Sequence, residues 1–307
     1  MQSSDLVLGH LKKFLKQAPG TIEGKGIEPL HRMRVASRRL RVGLRIFQDI
    51  YRAGKVKKFR KRLSKIGRVL GKARELDIQL KFLAAQQRLD IRASHARGLA
   101  KIRSLLEKKR SKAQKKVVSV ICWIQKKDCL SGLKPYIKER SVKGRAKAQE
   151  RLSQAASCMM LTRLKALMSY AAYVKKPREA RKLHLMRIAA KNLRYTLEFF
   201  KPFYGPEVNR KIKSAELLQD VLGDLHEMDV WLGFLPGLER RAKDKNLKEA
   251  SAYLRARCLV LRDEVYKKFV KTWADLLAAF QEPACQGSGS KHHGVVPKFC
   301  LNNIALR

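Results

Sequence analysis

Two rows of basic side chains, each headed by a histidine, are the residues most able to do chemistry. In LHRMRVASRRLRVGLRIF (30–47), His31, Arg34, Arg38, Arg41 and Arg45 recur at spacings of 3, 4, 3 and 4. On a helix turning roughly 100° per residue they share an arc of roughly 80°. Met33, Ala36, Leu40, Leu44 and Phe47 form an apolar stripe about 130° away. A planar guanidinium can hydrogen-bond two phosphate oxygens while staying charged. A row of them rising about 5 Å per turn can follow a string of phosphates. Such a row destabilises an isolated helix by a few tenths of a kcal/mol per pair. Residues 29–48 contain no acid to relieve it, so compensation must come from outside the helix. A solvated basic face is the competing reading.

The pattern occurs twice, which favours a function over mere solvation. LHLMRIAAKNLRYTLEFF (183–200) matches 30–47 at nine of 18 positions, and its row is His184, Arg187, Lys191, Arg194 and then Glu198. LGKARELDIQLKFL (70–83) matches LGDLHEMDVWLGFL (222–235) at seven of 14 positions. The two offsets, 153 and 152 residues, are nearly equal. Two segments kept in order at one spacing indicate an internal duplication. The expectation is two helical halves related by a pseudo-twofold axis.

For His31 and His184, metal ligation is disfavoured because no second His sits at i+3 or i+4. A phosphoacceptor or acid/base role, helix-end capping, and donation to phosphate remain. Donation is favoured, with charge gained below about pH 6.5. The second motif places Arg74 and His226 in the same site, with Asp77 and Asp229 orienting neighbouring basic groups. An intrahelical Arg–Asp pair is the alternative. Gly71 and Gly223 are expected to permit close helix–helix contact. Lys61, Lys65, Arg68 and Lys72 form a further row whose counterparts include Asp220 and Asp224, so it is not duplicated and reads as a solvated face.

The elements that must position these residues are helices. Leu, Ala, Arg and Lys dominate, with nine Pro and 18 Gly as punctuation. Helices are expected near 2–17, 28–52, 55–89, 94–127, 145–174, 179–202, 206–235 and 243–281. Breaks are expected near Ala18-Pro19-Gly20, Ala53-Gly54, Leu130–Pro135, Lys176-Pro177, Gly205-Pro206 and Pro236-Gly237. The fold class is all-α: two four-helix bundles, an N-terminal half at 1–140 and a C-terminal half at 141–281. A flexible tail is expected over 282–307.

Composition names the partner class. The 307 residues carry 70 Lys plus Arg against 26 Asp plus Glu, a net charge of +44, and 45% are hydrophobic. That apolar share supplies a core. Residues 1–150 hold 41 basic and 11 acidic side chains, while 201–250 hold nine of each. Such a field suits a polyanion or an acidic surface rather than a neutral metabolite. Aromatics are 7%, and none interleaves with the row from His31 to Arg45. Single-stranded nucleic acid would call for stacking platforms, so polyphosphate is favoured and nonspecific nucleic-acid binding is the alternative. The sequence has no phosphate loop, HExxH, zinc-type Cys/His spacing or dinucleotide turn, and no enzyme or cofactor is expected. Six cysteines without a CxxC pair read as single thiols in a reducing compartment. Without an apolar run of transmembrane length, the expected location is the cytoplasm.

At these residues the sequence resembles the CHAD family, the histidine-bearing α-helical domain. The resemblance rests on HRMRVASRRLR (31–41), HLMRIAAKNLRYTLE (184–198), LGKARELD (70–77) and LGDLHEMD (222–229), and it covers roughly residues 1–281. It implies two four-helix bundles, with a basic cleft between them that binds inorganic polyphosphate, and association with polyphosphate granules. The residues it implies are His31, Arg34, Arg38, Arg39, Arg41, Arg74, His184, Arg187, Lys191, Arg194, Tyr195 and His226. Arg39 lies off the row on an ideal helix and is Asn192 in the second copy. Glu198 opposes anion binding and is expected to pair with a nearby Arg or Lys.

Overall fold

Apolar residues at helical spacing set the architecture. Leu30, Met33, Leu40, Leu44 and Phe47 are at most 1% exposed, and so are Met186, Leu193, Leu197 and Phe200 in the second copy. Each such side chain contributes about 1.5–3 kcal/mol by leaving water. Both apolar stripes are therefore core, and the basic rows are left on the flanks.

The structure is a computed structural model that describes residues 3–281 apart from positions 90, 91, 127, 128, 144, 205 and 207. The tail expected at 282–307 lies outside the described residues, as do Cys285 and Cys300. Among the described residues the fold is all-α, without strands. The helices are α1 (Ser3–Lys16), α2 (Ala18–Glu23), α3 (Glu28–Tyr51), α4 (Val56–Gln86), α5 (Ala93–Lys126), α6 (Leu133–Lys143), α7 (Arg145–Met168), α8 (Ala180–Tyr204), α9 (Val208–Arg241) and α10 (Lys245–Gln281), with a 3-10 turn at Ala171–Tyr173. None of the helices described is long and apolar enough to cross a membrane.

The chain divides into two compact units: Met1–Ala148 with Gly233–Arg257, and Gln149–Leu232 with the segment beginning at Cys258. In the first, α3 packs on α1 and α4, α4 packs on α5, α2 lies against α3 and α5, and α6 lies against α1.

The breaks expected near Ala18-Pro19-Gly20 and Leu130–Pro135 fall between helices, at the turn from α1 to α2 and at the turn over 129–132 before α6, whereas the one expected at Pro236-Gly237 is helical instead. Pro19 sits in the first turn of α2, where its missing N–H has no helical partner to lose. Gly24, at φ 70°, closes that helix by donating its N–H to the Gly20 carbonyl. Pro135 likewise falls in the first turn of α6. Pro236 lies inside α9 and costs it a backbone hydrogen bond. The helix nevertheless runs on to Arg241, and Trp231 and Leu235 before the proline are fully buried.

Contacts recur between the repeats at the sequence offset. In the first, Arg110 on α5 donates Nε to Asp77 Oδ1 on α4 at 2.6 Å. In the second, Arg262 on α10 does the same to Asp229 on α9, also at 2.6 Å and across the same 33 residues. Gln114 Nε2 reaches the Thr21 carbonyl at 2.8 Å, and Tyr266, 152 positions later, reaches the Val174 carbonyl at 2.5 Å. These recurrences fit a duplicated scaffold. The acids thus brace neighbouring helices rather than pairing within their own.

The closest backbone approach is at Gly98 of α5. A Cβ there would collide with the Asn246 carbonyl oxygen and with Ala250, both on α10 within the same unit. Gly98→Ala is expected to destabilise the protein by about 1–3 kcal/mol through overpacking, measured by denaturant unfolding. An unchanged midpoint would contradict this packing.

Candidate polyanion-binding site

The first row faces α4. Arg41 Nη1 donates to Ser64 Oγ at 3.2 Å. The Arg34 guanidinium lies over Gly71, where a Cβ would collide with it. Gly71 therefore makes room for an arginine rather than for a helix backbone. Its counterpart Gly223 has nothing within 4 Å of an added Cβ, so the close contact expected there is absent. Both glycines lie on the flank that carries the polar row, away from the core seam.

His31 sits beside Arg74. Burial first, and then the charge of Arg74 with Arg38 and Arg34, holds its pKa below the ordinary imidazole value. The sequence-based readings of His31, Arg34, Arg38, Arg41 and Arg74 thus converge on one α3–α4 face, all half-buried. Arg45 is exposed and lies near Arg60, whose pKa is lowered by burial and then by Arg45. Arg39 is half-buried and about 100° around α3 from Arg38, off the row.

The second row is built on the corresponding helices α8 and α9 but balanced differently. His184 Nδ1 lies 3.1 Å from His226 Nδ1, with ring centroids 4.1 Å apart. A hydrogen bond between two Nδ1 atoms needs one ring protonated there and the other bare, so two imidazolium ions cannot share it. Burial pushes His184 down, with Arg187 and Lys191 adding to it. Burial, with Arg187 and His184, pushes His226 down to about 4.

Arg194, expected as a ligand contact, is held by two carboxylates: Nε to Glu198 at 2.8 Å and Nη2 to Glu216 at 2.7 Å. Burial opposes its charge, yet Glu198 and Glu216 outweigh that and raise its pKa. Glu198 is thus paired as its charge requires. Tyr195 is 5% exposed, placed in the core, with the Arg194 guanidinium 5.9 Å from its ring. Arg187 and Lys191 are half-buried.

Sequence reasoning missed Ser64, Arg110, Glu216 and Arg262. The offset of 152 pairs Ser64 with Glu216 and Arg110 with Arg262, and extending the repeat beyond its identical segments would have found them. Lys61, Lys65, Arg68 and Lys72 are all exposed, as expected of a solvated face. Cys122, Cys129, Cys158 and Cys258 are free thiols, and burial pushes Cys258 up to about 12. No cluster of three or more His, Cys, Asp or Glu that could hold a metal occurs among the described residues.

His226 also makes a pH statement. Folding favours its neutral form, so the associated stability is present above its ordinary value of 6.5 and is lost as pH falls toward about 4. Unfolding free energies measured across that window should decline more steeply for wild type than for His226→Gln. Parallel profiles would contradict the arrangement.

No curated protein matches the chain. In fold it is similar to the crystal structure of the CHAD domain from the plant Ricinus communis, with a TM-score of 0.71 at 23% identity over 90% of each chain. It is also similar to PptA from Streptomyces chartreusis, with a TM-score of 0.57 at 14% identity, covering 89% of this chain and 98% of that one. The CHAD domain family model matches residues 5–236, most of the chain and both copies of each motif, and the chain therefore belongs to the CHAD domain family.

Proposed function

We propose that the protein binds inorganic polyphosphate through its histidine-headed basic rows, without catalysing a reaction on it. One observation carries this reading: His31, Arg34, Arg38, Arg41 and Arg74 converge on one face of α3 and α4, where burial first, and then the like charge of Arg74, lowers the pKa of His31. A linear polyanion supplies counter-charge in repeating units. It presents phosphate oxygens to every guanidinium and needs no aromatic platform. Membership of the CHAD family, whose resemblance implies polyphosphate binding, supports the same ligand. Recruitment to polyphosphate granules in the cytoplasm is the cellular role that fits this reading.

Nonspecific nucleic-acid binding is the second reading, favoured by the net charge of +44 alone. Competition separates the two. At near-physiological salt and matched charge, duplex DNA and RNA should displace long-chain polyphosphate poorly; ready displacement would favour nucleic acid. Arg34→Ala combined with Arg41→Ala should weaken polyphosphate binding far more than Lys115→Ala combined with Lys116→Ala on exposed α5. Equal effects would mean that the general field matters and the row does not. Labelled polyphosphate incubated with divalent metal should keep its length, and shortening would show an enzyme.

A further inference from the structure

The exposed row on α4 has a place beside the α3 row. Ser64, Gly67, Gly71 and Arg74 are the α4 positions that meet α3: Ser64 takes Arg41, a Cβ on Gly67 would lie 3.5 Å from Ser37 Oγ, Gly71 lies under Arg34, and Arg74 stands beside His31. Lys65, Arg68 and Lys72 each follow one of those positions, and Lys61 precedes Ser64 by three. All four therefore project roughly 80–140° around α4 from the middle of the contact face, and all four are exposed. Packed helices stand about 8–10 Å apart, and Lys and Arg stems can reach across much of that distance. A phosphate chain resting on the α3 row thus has a second basic wall within reach.

The second repeat keeps the scaffold and removes the wall. Lys61, Lys65, Arg68 and Lys72 become Lys213, Leu217, Asp220 and Asp224. Arg45 becomes Glu198 and Ser64 becomes Glu216, both of which hold Arg194. Across 56–74 the chain has nine basic residues and no acid; across the equivalent 208–226 it has three of each. The exchanges fall on the polar flank, while the core and the Asp–Arg brace are retained.

We propose that Lys61, Lys65, Arg68 and Lys72 form the outer wall of a phosphate track that exists on the first repeat alone. A polyphosphate chain is gripped from both sides by α3 and α4, and only weakly by the self-neutralised α8–α9 face. This rests on the functional reading above and assigns that function chiefly to one repeat.

The test transplants the second repeat's residues. Arg68→Asp with Lys72→Asp, in the full chain, should lower affinity for long-chain polyphosphate by about tenfold or more and flatten its salt dependence. Titration calorimetry at near-physiological salt reads both. Lys108→Asp with Lys112→Asp on exposed α5 makes the same change in net charge and should cost far less. The reverse exchange, Asp220→Arg with Asp224→Lys, should raise affinity. Because all six side chains are exposed, helical content by circular dichroism should be unchanged. Equal losses on α4 and α5, with wild type binding polyphosphate, would overturn the two-walled track and leave the functional reading intact. A wild-type protein that does not bind polyphosphate would overturn both.

Discussion

Like charges gathered on adjoining helix faces are the constraint on which the rest depends. Residues 29–48 of α3 and 56–74 of α4 contain no carboxylate. Burial of the apolar stripes clamps the two helices together regardless, and the Arg110–Asp77 brace fixes α4 against α5. The basic side chains cannot separate without giving up that core. The strain shows at His31 and Arg60, whose charged forms burial and basic neighbours disfavour.

The second repeat shows what internal relief looks like. Glu198 and Glu216 neutralise Arg194, and His226 replaces Arg74, stacking against His184 as a near-neutral pair. The same fold therefore carries one face richer in basic residues and one in which Glu198 and Glu216 hold Arg194. The groups that hold helices together recur in both repeats, while side chains on the polar flank differ between them.

Much of this was legible because the repeat doubles every signal. The core stripes, the basic rows and the pairing of Glu198 all follow from spacing within single helices. What lies between helices was harder to see. Arg110 and Arg262 stand outside the identical segments, and only the register of α5 on α4 and of α10 on α9 reveals their partners. The His184–His226 contact joins residues 42 positions apart, which no local pattern encodes. Proline punctuation marks real helix boundaries at Pro19 and Pro135, each falling in the first turn of the helix that follows, whereas Pro236 lies inside α9, which local punctuation does not foresee. Tyr195 entered as a site residue by analogy, and its burial follows from packing that analogy does not carry.

The most direct test of the central claim is a crystal structure of the protein soaked with tripolyphosphate. Ordered phosphates are expected on the α3–α4 face, within hydrogen-bonding distance of His31, Arg34, Arg41 and Arg74. Phosphates bound elsewhere, with that face left to solvent, would contradict the account.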